Sequence, residues 1–129
     1  MMNTEHKFFL CAHCGNLIGM VDNKGVPLVC CGEKMQELVP NTVDAAKEKH
    51  VPVVAVSGDE VTVTIGSVPH PMQPEHHIAW IYLQTEQGGQ RKQLNVPGDA
   101  VTRFALTDGD KPVAAFAYCN LHGLWKTAL

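Results

Sequence analysis

No apolar run in this chain approaches the roughly 20 residues that a membrane-crossing helix needs, and the opening Met1-Met2-Asn3-Thr4-Glu5-His6-Lys7 lacks the apolar core of a secretion signal. A basic excess is missing too. Ten Lys and Arg stand against 13 Asp and Glu, a formal net charge of -3, and no run of like charge forms a tail. The charge balance therefore points to neither nucleic acid nor an anionic membrane surface as a partner. These absences lead us to expect a cytoplasmic protein whose partners must be read from its side-chain constellations.

What is present begins with five cysteines, an odd number. In a reducing compartment they read as metal ligands and not as a disulfide framework. Residues 8–38 hold few large apolar side chains. They carry Cys11-Ala12-His13-Cys14 and Cys30-Cys31-Gly32 on either side of a loop rich in Asn, Asp, Gly and Pro. Such a segment cannot fold on a core of its own, and a metal would supply the missing stability. Four thiolates imply tetrahedral zinc or iron, and spacing alone does not choose between them. The adjacent pair Cys30-Cys31 must splay its side chains to share one ion, which predicts a distorted tetrahedron. His13 is expected to be a solvent-facing spacer and His6 to lie in a loose terminus.

Val39-Pro40-Asn41-Thr42 reads as a linker, and Asp44 to Lys49 as a helical turn with Asp44 near its start. The expected domains are 1–38 and 45–129, joined by 39–44. From Val51 onward the pattern has a period of two: 51–56, 61–65, 78–83, 101–106 and 113–118 are short β-branched or aromatic runs, with 91–96 a further candidate strand. Ser57-Gly58-Asp59, Gln87-Gly88-Gly89, Pro97-Gly98-Asp99 and Asp108-Gly109-Asp110 supply turns between them. No amphipathic helix intervenes, so an all-β, antiparallel, immunoglobulin-like sandwich is expected. Trp80, Phe104, Phe116, Tyr118 and Met72 are expected to pack rather than react.

Near the C-terminus, Tyr118-Cys119-Asn120-Leu121-His122-Gly123 places a thiol and an imidazole within reach of one late divalent metal or iron. Three more imidazoles lie upstream, His50 in Glu48-Lys49-His50-Val51-Pro52, and His70 and His76 around Pro71-Met72-Gln73-Pro74-Glu75. His77 should point away from His76 if this stretch is extended. In this order, these motifs resemble the iron-containing superoxide reductases. The N-terminal cysteines match their two-iron subclass, desulfoferrodoxin, and the Cys30-Cys31 adjacency resembles the iron site of desulforedoxin. The resemblance spans essentially the whole chain.

The resemblance implies two mononuclear irons. Cys11, Cys14, Cys30 and Cys31 would hold the first, with zinc an alternative there. His50, His70, His76 and His122 would surround the second in a plane, with the Cys119 thiolate axial and one position left for superoxide. Lys49 would attract that anion, and Glu48 would ligate the oxidised iron. Rubredoxin or a similar small carrier is implied as electron donor. A homodimer is expected, because pairing would give the small first domain apolar burial. Two rival readings remain at this point: a non-catalytic iron electron carrier, and a zinc ribbon fused to a β-sandwich.

Overall fold

The structure, a computed structural model, describes residues 5–129. The chain forms two compact units, the first ending at Val39 and the second beginning at Pro40. Among the described residues no helix is long and apolar enough to cross a membrane.

In the first unit, β1 (Phe8–Leu10) lies between β2 (Leu17–Gly19) and β5 (Gln36–Glu37) in an antiparallel sheet, and β3 (Val29–Cys30) pairs with β4 (Glu33–Lys34). Among its described residues the buried apolar side chains are Phe8, Cys11 and Met35. So small a core is far below what independent folding requires, as the composition predicts. His6 is half-buried, and burial lowers its pKa.

The second unit is a sandwich of two antiparallel sheets. Its strands are β6 (Pro52–Ser57), β7 (Glu60–Ile65), β8 (Ile78–Thr85), β9 (Gly88–Gln93), β10 (Val101–Ala105), β11 (Pro112–Cys119) and β12 (Gly123–Ala128). The sheets have the orders β10-β7-β6 and β12-β11-β8-β9. In β7, Val61, Val63 and Ile65 are fully buried while the intervening threonines face outward, so the period of two holds there. They meet Ile78, Ile81, Leu83, Ala115, Ala117 and Cys119 of the facing sheet, with Phe104 and Leu106 closing the side.

The strand β8 does not alternate, because its outer face has an aromatic layer of its own. Trp80 stands opposite Tyr118 in register and stacks on it, centroids 5.7 Å apart and planes at 9°, while Tyr82 stands opposite Phe116. Tyr82 also crosses the backbone of Gly89, where a Cβ would overlap its hydroxyl. The two glycines expected in a turn therefore lie inside β9, which starts at Gly88 and pairs back from Thr85 after a two-residue turn. The candidate strand 91–96 is displaced accordingly.

The helix, α1 (Lys47–His50), is shorter and later than 44–49. Ala46 occupies its N-cap without a side-chain bond, and Asp44 lies outside it. Within the stretch expected as a linker, Asn41 is bound to the edge of β12. Its amide nitrogen donates to Lys126 O (3.0 Å) and its side-chain oxygen accepts from Lys126 N–H (2.8 Å).

Candidate metal centres

His50 ends α1, His70 and His76 lie in the loop between β7 and β8, Cys119 ends β11, and His122 sits in the turn into β12. The sandwich thus gathers five side chains from separate loops at one end of its core. Neighbouring ring centroids are 4.7 Å apart for His50–His70, 4.7 Å for His70–His76, 5.1 Å for His76–His122 and 4.9 Å for His122–His50. The diagonal His50–His76 is 6.4 Å. Edges so nearly equal, with a longer diagonal, describe four imidazoles around a common centre.

The nitrogens aimed at that centre can be identified. His50 Nδ1 lies 2.7 Å from Ala46 O, and His70 Nδ1 lies 2.7 Å from Pro71 O. A carbonyl only accepts, so each Nδ1 carries the hydrogen and each neutral ring turns the lone pair of Nε2 inward. Yet His50 Nε2 and His70 Nε2 stand 3.2 Å apart, and His122 Nδ1 is 3.2 Å from His50 Nε2. Two lone pairs facing each other at that distance repel unless a cation lies between them. Protonation does not provide it. Burial pushes His70 down to about 4 and also lowers His50 and His76, with the neighbouring imidazoles adding to the effect.

His76 Nε2 makes the same point independently, being buried with no hydrogen-bond partner, a state that costs free energy unless something coordinates it. Cys119 Sγ lies 3.5 Å from His70 Nε2 and 3.8 Å from His122 Nδ1. Its thiol is fully buried, and burial raises its pKa, against backbone N–H bonds from Leu121 and His122 that favour the thiolate. A metal stabilises that thiolate outright. The donor atoms of His50, His76, Cys119 and His122 all lie within 4.8 Å of one another, and His70 joins them through the contacts just given. Four nitrogens and one sulfur fit iron or another late transition metal.

Glu48 and Lys49, both exposed, precede His50 on α1. Their charges reach the ring: the Lys49 ammonium helps to lower His76, and the Glu48 carboxylate helps to raise His50 against the larger effect of burial. His77 stays outside the ring, its Nδ1 3.0 Å from Gln73 O. Met72 is buried in the core, where its sulfur accepts a bond from Ile78 N–H at 3.4 Å.

Two residues of the site escape sequence reasoning. Fully buried Trp125 packs its indole against His50, and Gly66 underlies α1. Gly66 has φ +82°, and a Cβ there would lie 2.5 Å from Val68 O, 2.7 Å from Glu48 O and 2.8 Å from the Lys49 carbonyl carbon. Val68 N–H donates to Glu48 O (2.9 Å) beside this close approach.

In the first unit, the sulfurs of Cys11, Cys14, Cys30 and Cys31 also lie within 4.8 Å of one another, with Cys14 Sγ and Cys30 Sγ 3.6 Å apart. The splay demanded of the adjacent pair comes from Cys31, whose φ of 53° is left-handed, followed by Gly32 at 72°. Backbone N–H groups of Cys14 and His13 draw Cys11 down to about 6, whereas the surrounding thiols, Cys14 first, push Cys31 up to about 12. Crowding by neighbouring sulfurs opposes a charge on Cys31, which a cation among the four would offset. His13 is exposed and outside the cysteine cluster, as expected of a solvent-facing spacer, and its ring pairs with the Glu33 carboxylate, linking the two cysteine-bearing turns.

The profile of the desulfoferrodoxin family matches residues 42–128. The chain belongs to that family. The desulfoferrodoxin of Nitratidesulfovibrio vulgaris is 44% identical over 125 residues, covering 97% of this chain and 98% of its own. The crystal structure of the superoxide reductase from Treponema pallidum covers 96% of this chain and 99% of that one, at 48% identity and a TM-score of 0.82. A one-iron superoxide reductase from Giardia intestinalis covers 64% of this desulfoferrodoxin-family chain and 98% of its own, at 35% identity and a TM-score of 0.55. The resemblance drawn from the motifs, and the all-β architecture with a four-cysteine and a histidine-cysteine site, are borne out.

Proposed function

We propose that this desulfoferrodoxin-family chain is a superoxide reductase. The observation that carries the reading is the pair of inward lone pairs on His50 and His70, 3.2 Å apart, beside the buried Cys119 sulfur. His50, His70, His76, His122 and Cys119 would hold the metal through five protein donors. Iron held there would supply one electron to superoxide, which with two protons becomes hydrogen peroxide with no oxygen released.

The chain's own residues set the terms of that reaction. Lys49 draws the anion toward the ring and offsets negative charge on the reduced product. Glu48, a hard donor, would favour ferric over ferrous ion and would be a ligand to the oxidised metal. Cys119 donates electron density from the core side, tempered by the two N–H bonds to its sulfur. Cys11, Cys14, Cys30 and Cys31 form a closed shell suited to outer-sphere electron transfer, with iron as the metal of this reading and zinc an alternative that fits the same four sulfurs.

The remaining parts of the reading are a rubredoxin-like electron donor, a homodimer, a cytoplasmic setting, and domains at 1–38 and 45–129 joined by 39–44. The test is anaerobic mixing of the reduced, iron-loaded protein with superoxide. Oxidation of the histidine-ligated iron with one peroxide per electron and no oxygen supports the assignment. Oxygen evolution, or iron that stays reduced, refutes it.

A further inference from the structure

The four imidazoles are not held alike. His50 and His70 are fixed through their rings, by Nδ1–H bonds to Ala46 O and Pro71 O. Among the described residues no such bond holds the His76 ring, and its Nε2 is buried without a partner. The main chain on both sides of His76 is gripped instead, and the grip comes from Asn120. Its Oδ1 accepts from His77 N–H at 2.9 Å, its Nδ2 donates to Glu75 O at 3.1 Å, and its own backbone N–H donates to His77 O at 3.1 Å. Gln73 and His76 close the loop from the other side by exchanging two backbone bonds, each 3.0 Å.

Asn120 directly follows Cys119, so one side-chain amide ties the loop that carries the sulfur to the loop that carries His76. We propose that Asn120 is the positioning residue of the histidine-cysteine centre, setting the place of the His76 ring relative to the Cys119 sulfur. This rests on the reading of that cluster as an iron site. The bonds that hold metal ligands in place govern how tightly the metal is kept, and their loss typically costs roughly 10- to 100-fold in affinity. Asn120 is exposed, so its truncation opens no cavity in the core and the effect falls on the ligand loops.

The experiment follows loss of ferrous iron to a chelator from the anaerobic full-length protein, together with the electron paramagnetic resonance line shape of its ferric form. The variants are Asn120→Ala, Asn120→Asp, and Gln90→Ala as a control that removes a side-chain to backbone bond (Gln90 Nε2 to Ala105 O, 2.8 Å) elsewhere in the sandwich. Asn120→Ala should speed iron loss from the histidine-cysteine centre roughly 10- to 100-fold and broaden its ferric signal. Asn120→Asp keeps the acceptor for His77 N–H and loses the donor to Glu75 O, so it should fall between Asn120→Ala and the parent protein. It decides the matter alone if the alanine variant does not fold. Gln90→Ala, and the four-cysteine centre in every variant, should behave as in the parent. Iron loss and line shape in the Asn120 variants matching the parent or the Gln90 control would overturn the positioning role. A parent protein that binds no iron at the histidine-cysteine cluster would instead overturn the reading beneath it.

Discussion

Trp125 and His50 form a stacked pair, centroids 4.8 Å apart and planes at 27°, and the same indole donates Nε1–H to His122 O at 3.0 Å. One fully buried side chain thus braces two of the four imidazoles from the core side. In β12, Trp125 stands opposite Ala117 of β11, a small residue that makes room for the indole under the ring.

Trp125→Ala should therefore cost stability and site order together. Loss of a buried Trp typically costs about 3–5 kcal/mol, measured as the shift in urea unfolding. Trp125→Phe keeps the stack and loses the bond to His122, so its cost should be nearer 1 kcal/mol. The alanine variant should also lose iron from the histidine-cysteine centre more readily than the phenylalanine one.

Gly66→Ala should displace α1, because the new Cβ meets backbone atoms of Glu48, Lys49 and Val68 and the positive φ is itself unfavourable. Strain of this kind costs on the order of 1–3 kcal/mol. Since Glu48 and Lys49 move with the backbone, the rate with superoxide should fall while the four-cysteine centre keeps its absorption spectrum. Stopped-flow kinetics and spectra on the same sample check both.

The metal-free protein should lose stability as pH falls. His50, His70 and His76 have folded pKa values below the ordinary histidine value, His70 at about 4. Between the unfolded value near 6.5 and those folded values, the unfolded chain binds more protons, so stability rises with pH across that window and is lost on descending through it. Urea unfolding of metal-free protein between pH 7 and pH 4 should show this slope, and His70→Asn should flatten it.

Lys49→Ala should leave both metals bound and slow the reaction with superoxide, roughly tenfold if one local charge supplies the smaller end of the usual steering effects. It should also flatten the dependence of that rate on ionic strength. Pulse radiolysis across a salt series measures both quantities.

Part of the candidate site was legible because its chemistry is in the identity of its residues. The Cys119-x-x-His122 pair can be read as half a site without knowing how loops converge. His50, His70 and His76 were instead singled out by the family resemblance, since His6, His13 and His77 also lie outside the apolar runs. β7 was equally legible, since Val61, Val63 and Ile65 alternate with threonine. β12 was not, because Leu124 and Trp125 are adjacent and both buried, which breaks the period of two where the strand lies between two apolar layers. Gly88-Gly89 reads as a turn until Tyr82 is seen lying over it. The supports of Gly66, Asn120 and Trp125 depend on contacts between loops far apart in sequence, which no local pattern encodes.

The most direct test of the five-ligand centre is X-ray absorption at the iron edge, on reduced protein whose first site has been emptied by Cys11→Ser and Cys14→Ser. We expect one sulfur and four imidazole nitrogens around a single iron, with the sulfur lost in Cys119→Ser. A shell without sulfur, or with two or fewer imidazoles, would contradict it.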